Sequence, residues 1–555
     1  MKKLFVLLFL LSQMAQAQWV DDPAVNTLVN ANFGSHYVPK IALNQDGSYY
    51  ISWWGGTSNI NMNLALFSHD GFRFWDQALV VSSHPQNTWV DDYNLVADHE
   101  GNAVLVFSDV RNGGVKNTVA YKIDAEGNQL WGEDGISLAV AGSSEFNPTA
   151  VVNEDNDVFV LFSTNYDNGD LNKIYVHKIE ADGTLSWGAN GKIFSGFSSS
   201  WVLPYPMANS DGGFSFGFYK ETGTFPATVR KIAMIRCDSE GNELWDTEAN
   251  VTNAGGISAW DDIVLKADGQ GGAYFVWNDD RYFDNVAESY AQYINPDGVA
   301  QWTENGVVLS DEPGYFQFYA VPGGVNSSGE FTVLWNKVNS NQNMASLMYQ
   351  RISSDGQRLE SANGKTILPL TDRMQNGLHA EQVGDTTFFL YRYFLPSSTF
   401  YTSFNMIALD ASGDNVWGEP VEMTNSQIER NHSDMCAFYE NQAVVVWTDD
   451  TGNSSRTMGQ NIFIDGALGS SPVGLDEHFS KKADQHFISY RQIEESLQFQ
   501  DIQQGDEIVL YNLQAQEVLR QAAGEKVVIS ALKHACYIGR LLRNGKQLES
   551  FKFLK

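Results

Sequence analysis

Tyr121–Gly135, YKIDAEGNQLWGEDG, predicts a strand running into Lys122-Ile123-Asp124, a turn at Glu126-Gly127 and a second strand opening at Leu130-Trp131. The same shape returns six more times with altered letters. Its turn glycines are Gly71, Gly127, Gly183, Gly241, Gly298, Gly356 and Gly413, separated by 56, 56, 58, 57, 58 and 57 residues. Four residues after the glycine stand Trp75, Trp131, Trp187, Trp245, Trp302 and Trp417, with Glu360 in the remaining repeat. A fixed period of this length marks a repeat architecture.

A second landmark counts one repeat more. β-rich runs ending in an aromatic occur at Tyr49–Trp53, Ala103–Phe107, Val158–Phe162, Phe214–Phe218, Ala273–Trp277, Phe331–Trp335, Thr387–Tyr391 and Ala443–Trp447. The eighth unit, Asn431–Leu468, stops before a Trp strand. Gln18-Trp19 followed by Asn26-Thr27-Leu28-Val29 has the pattern of Leu130-Trp131 followed by Ile136–Val140, so the start of the chain supplies the missing strand. About four strands per unit, in a ring whose ends interlock, make an eight-bladed β-propeller over residues 18–468. An open ring would leave two sheet edges unpaired. The strand-ending aromatics and the repeat tryptophans are read as packing between blades, not as ligand sites.

The remaining segments differ in character. Residues 1–17 have a basic start at Lys2-Lys3, an apolar run at Leu4–Leu11 and a small-residue site at Ala15-Gln16-Ala17, the pattern of a secretory signal peptide. Residues 469–474, GSSPVG, form a linker. Residues 475–555 hold 11 basic and 11 acidic residues and read as a small β-sandwich, so the net charge of −32 resides upstream. That surface disfavours nucleic acid and anionic membranes, and no later apolar run is long enough for a transmembrane segment. Cys237, Cys436 and Cys536 have no disulfide or metal spacing and read as small buried residues.

Two resemblances follow from these motifs. Ile508-Val509-Leu510-Tyr511-Asn512 with Gln516-Glu517-Val518, then Leu532, Tyr537 and Leu541, then Lys552 and Lys555, resemble the C-terminal sorting domain of type IX secretion. Ala515 and Ala535 stand where that family has glycine, and its Pro-Asn-Pro opening is missing near Tyr490-Arg491-Gln492. The resemblance implies export across the outer membrane through the type IX machinery and attachment at the cell surface. The Gly-to-Trp spacing of four differs from the sialidase Asp box. It is similar to the tryptophan-docking repeat of eight-bladed quinoproteins, seen best from Ile407 to Trp417, but no adjacent cysteine pair accompanies it, so that likeness is architectural.

Propellers hold ligands at the channel mouth, on loops leading into the innermost strands. Those positions are His36-Tyr37, Trp89 with Asp91-Asp92, Phe146-Asn147, Trp201, Trp260 with Asp261-Asp262, Tyr315-Phe316, His379, and His432 with Asp434. Aromatic rings beside carboxylates suit a carbohydrate, since the ring stacks on C–H faces and the acid accepts hydroxyl protons; packing between blades is the competing reading. The candidate ligand residues are Trp89, Asp92, Phe146, Trp201, Trp260, Asp262, His379 and His432. They predict a secreted or surface binding protein for a glycan or a protein partner. The alternative is an extracellular carbohydrate-active enzyme using Asp92 and Asp262 across the channel, which would need two carboxyls within about 5–10 Å. Asp109-x-Arg111 and Asp279-Asp280-Arg281 offer either an anion clamp or internal ion pairs. No metal site is predicted from His/Cys spacing, while the acidic loops at 153–157 and 268–271 suit Ca²⁺ by donor type alone.

Overall fold

The computed structural model describes residues 19–30, 35–56, 60–86, 93–166, 169–224, 227–258, 263–395, 398–452 and 454–469. In the C-terminal part it describes 490–493, 496–499, 506–512, 517–522, 526–529, 532, 536–543 and 546–554. Two compact units result, Met1–Gly469 and Ser470–Lys555. No helix occurs among the described residues.

The first unit is eight four-stranded antiparallel sheets. Seven are consecutive in sequence; blade 1, for example, is Ser35–Leu43, Tyr49–Gly56, Asn61–Phe67 and Leu79–Ser82. The eighth takes Glu429–Met435, Gln442–Asp450 and Ser455–Phe463 from the end of the propeller and its outer strand, Thr27–Leu28, from the beginning. Thr27 pairs with Gly459 and Leu28 with Met458. Around this seam Asn26 Nδ2 donates to Met423 O at 2.8 Å, and Asn30 Oδ1 accepts from Thr457 N at 3.0 Å. Trp19 is 3% exposed and packs in one cluster with Val444, Val446 and Tyr49. The ring closes where the sequence pattern required it, and closure removes the edge that blade 8 would otherwise expose.

The strand-ending aromatics Trp53, Phe107, Phe162, Phe218, Trp277, Trp335, Tyr391 and Trp447 are all buried. The repeat tryptophans need a correction. Trp131 does not open the outer strand, which begins only at Ile136. It lies in the connection after the Ile123–Gln129 bridge and reaches sideways into the next blade. Its indole N–H donates to Ala181 O at 3.4 Å, beside Gly183. Trp75 donates likewise to Ala125 O, Trp245 to Pro296 O, Trp302 to Ser354 O and Trp417 to Ile464 O. In each case the acceptor precedes a turn glycine by two residues. At Gly298 the glycine is required twice over. Gly298 has φ +78°, and a Cβ on it would stand 2.7 Å from the Trp245 ring. Where Glu360 replaces the tryptophan, Tyr349 lies under Gly413 instead, and Glu360 pairs with Arg351 at 2.8 Å.

The second unit has two antiparallel sheets. One joins Tyr490–Ile493, Ser496–Phe499 and Lys526–Val528; the other joins Glu517–Ala522, Asp506–Asn512, Cys536–Arg543 and Lys546–Leu554. Ile508, Val509, Leu510, Val527 and Ile529 are buried within this small β domain.

Candidate functional site

Antiparallel order gives the propeller two chemically different faces. The hairpins between first and second strands and the Gly–Trp turns lie on one, here the hairpin face. The loops from second to third strand, and the crossings from one blade to the next, lie on the other, the loop face.

Five of the inner strands share a bulge toward the loop face. Register shifts occur between Tyr37 and Lys40, Phe146 and Thr149, Val202 and Tyr205, Phe318 and Val321, and Asn431 and Asp434. Each gap holds a non-glycine residue at positive φ: Val38 (51°), Asn147 (51°), Leu203 (56°), Tyr319 (53°) and His432 (49°). Such backbone is costly for a β-branched residue and persists only where neighbours hold it. At Val38 they do: its N–H donates to Thr448 Oγ1 of blade 8, and its carbonyl accepts from Tyr93 Oη of blade 2 at 2.8 Å.

Two residues before each of these bends stands a buried side chain: His36, Glu145, Trp201, Gln317 and Arg430. This position ties strands together. Gln317 accepts from Trp335 Nε1 at 2.6 Å, and Arg430 pairs with Asp449 at 3.1 Å. Glu145 accepts from the backbone N–H groups of Thr118 and Val140, and burial pushes its pKa up to about 7 against those donors. Trp201 is 7% exposed, packs on Phe218 at 4.6 Å and donates to Ser199 Oγ. Its ring therefore serves the blade interface, which corrects its reading as a ligand platform. Phe146 is half-buried against the cluster holding Val202 and Met207.

His379 reaches from blade 7 to the blade 8 strand that carries His432. His379 Nε2 lies 3.0 Å from Ser433 O, next to His432, which is exposed at the bend. Trp89, Asp92, Trp260 and Asp262 lie outside the described residues.

His379 also lines a cavity of about 250 Å³ against the inner strands of blades 5 to 8, with Lys266, Val321, Pro322, Glu381 and Cys436. Lys266 reaches past blade 6 to pair with Glu381 of blade 7 at 2.9 Å and donates to Ala380 O at 3.1 Å. Burial holds the His379 pKa below the ordinary imidazole range; Asp434 opposes this, while Lys40 and Lys266 add to it. A neutral imidazole donating to Ser433 O fits that field. Cys436 is free and buried, and its thiol pKa is pushed up to about 12 by burial, so it is no nucleophile.

The loop face carries features that the residue pattern did not single out. Tyr282 is 68% exposed and Phe283 is 74% exposed, and both project from the loop after Ala273–Asp279 of blade 5. The loop is built, not slack. Asp279 accepts from Trp277 Nε1 at 2.8 Å and pairs with Arg281 at 2.7 Å. Arg281 stacks 3.3 Å from the Tyr290 ring centroid and donates to Asn305 O. Asp280 N donates to Gly256 O, and the Asp280 carboxylate accepts from Asp284 N and Asn285 N, each at 3.0 Å. Phe283 itself sits at φ 55°, an unusual conformation for a bulky residue. Phe197, on the crossing into blade 4, is wholly exposed on the same face. Two aromatics inside a charged turn, Arg281-Tyr282-Phe283-Asp284, were the available sequence signal.

The Asp–Arg motifs are internal ion pairs rather than anion clamps; Arg111 grips Asp109 at 2.6 Å as Arg281 grips Asp279. The acidic loops also close on themselves. Asn153 Oδ1 accepts from Asp155 N and Asp157 N, and Asp268 Oδ1 accepts from Gln270 N and Gly272 N. Among the described residues no three His, Cys, Asp or Glu side chains come together as a metal site.

No protein-family model and no curated protein matches the chain. Among solved structures, the polysaccharide lyase Uly1 is similar at a TM-score of 0.42 and 10% identity, covering 81% of this chain and 98% of that one. The BP39L lectin from Burkholderia pseudomallei is similar at 0.43 and 10%, covering 69% and 98%. A eukaryotic initiation factor is similar at 0.41 and 10%, covering 80% and 89%. Likeness spread over such different proteins selects no activity.

Proposed function

We propose that the protein is an exported binding protein whose loop face takes a glycan. The observation that carries this reading is the blade 5 loop. It holds Tyr282 and Phe283 outward on a turn whose polar groups are bound to its own blade and to Gly256. Exposing two adjacent rings to water costs free energy that folding alone does not require, and strained, exposed aromatics are what a sugar-stacking platform needs. The crossing that leads to Trp260 is pinned to the same loop through Gly256, so Trp260 and Asp262 are proposed as further members of this site; Trp89 and Asp92, which precede blade 2, are proposed as a separate ligand contact.

In this reading residues 1–17 direct export, 18–468 form the binding propeller, 469–474 link, and 475–555 engage the type IX machinery for delivery to the cell surface. Removing residues 475–555 should leave the propeller inside the outer membrane; unchanged appearance in the medium or at the surface would refute the sorting role. For binding, the full chain on a glycan array should give hits that a Tyr282→Ala, Phe283→Ala variant loses. Hits retained by that variant would move the site elsewhere. Polysaccharide turnover abolished by Asp92→Asn or Asp262→Asn would replace binding by the enzymatic alternative.

A further inference from the structure

The charge around the platform restricts what it binds. Six cations near the loop face are held by the protein's own carboxylates: Arg111 by Asp109, Lys220 by Glu248, Arg230 by Glu221, Arg281 by Asp279, Lys337 by Glu312 and Arg430 by Asp449. Most of these groups are largely buried, so rotating one outward to meet a ligand would leave its partner carboxylate uncompensated. Arg281 is the plainest case. It is the cation nearest the two rings in sequence, and Asp279, Tyr290 and Asn305 hold it in place. Acidic side chains flank the rings instead: Asp280 and Asp284 bracket Tyr282 and Phe283 in the same turn. The chain as a whole carries a net charge of −32.

An acidic polysaccharide is normally captured by arginine and lysine side chains that meet its carboxylate or sulfate groups in bidentate or point contacts. Here the arginine of the platform's own turn, Arg281, is committed internally, and the long-range field repels a polyanion before contact. Aromatic stacking needs neither charge. We infer that the ligand of the Tyr282–Phe283 platform is a glycan without acid groups, neutral or amino-sugar in kind. This rests on the glycan-binding reading above and narrows it.

The test is equilibrium binding of the full chain to four probes at two salt concentrations: a neutral β-glucan oligosaccharide, a chitosan oligosaccharide, polygalacturonate and heparin. The expected result is binding to the neutral or amino-sugar probe. The neutral probe's affinity should be indifferent to salt, and the amino-sugar's should fall with salt. Tyr282→Ala, Phe283→Ala should weaken either at least tenfold, and the Arg281–Asp279 pair keeps that loop in place as the rings are removed. Tighter binding of polygalacturonate or heparin than of both other probes, lost as salt rises, would overturn this inference while leaving glycan binding intact. Binding to none of the four, with the double variant indistinguishable from the parent, would overturn the glycan reading along with it.

Discussion

The two faces of the propeller answer to different constraints. On the hairpin face five blades repeat one device: a tryptophan reaches sideways, donates to a carbonyl in the next turn, and lies against the glycine two residues further on. On the loop face the blades diverge. Blade 2 ends its second strand in Asp109-Val110-Arg111-Asn112-Gly113, and blade 5 in Asp279-Asp280-Arg281-Tyr282-Phe283. The ion pair is common to both, and the exposed rings belong to one. Regularity marks the face that holds the ring together; departure from it marks the face free to acquire a ligand.

Four changes would break or sharpen this contrast. Trp19→Ala should do most, because it empties a buried site at the seam that closes the ring; a loss of roughly 3–5 kcal/mol in denaturant unfolding is expected. A loss below 1 kcal/mol would mean that closure does not depend on it. Next is the Glu145 tie between blades 2 and 3. Its pKa is raised to about 7 in the fold from the ordinary carboxylate range. The folded state therefore binds more protons than the unfolded chain between about pH 4.5 and 7. Stability from this group is highest below that window and falls as pH rises through it, by roughly 3 kcal/mol at most. Glu145→Gln should flatten that slope in melts across the window, and an unchanged slope would assign it to other groups.

Third, Gly298→Ala places a Cβ in left-handed backbone against Trp245 and should cost about 1–3 kcal/mol. Gly255→Ala on the loop face, where a Cβ meets only ordinary contacts with Phe283 and Val229, should cost little. Equal losses at the two glycines would erase the distinction between faces. Smallest of all, Tyr282→Ala, Phe283→Ala should change stability by no more than about 0.5 kcal/mol while weakening ligand. A large drop in stability would make the rings structural.

Much of the architecture was legible because it is periodic. Glycines 56 to 58 residues apart, and an eighth aromatic strand without its own outer partner, together required Trp19 and Thr27–Leu28 to close the last blade, and they do. The tryptophans were legible as packing residues but misplaced by one step, because spacing along the chain does not say which neighbouring blade a side chain enters. The site was less legible. Trp201 had the right residue type in the right repeat position, yet its ring turns inward onto Phe218. Phe283 had no repeat position at all, and its exposure follows from a left-handed turn anchored by Asp280 and Gly256.

The sequence alone determined the number of blades, the seam and the acidic character of the propeller, because each is a count or a periodicity that survives in one dimension. Only tertiary structure decided which aromatics face solvent and which carboxylates hold the arginines of the loop face. A side chain's direction depends on local φ and on partners from blades far away in the chain, and neither is written in the spacing of residues.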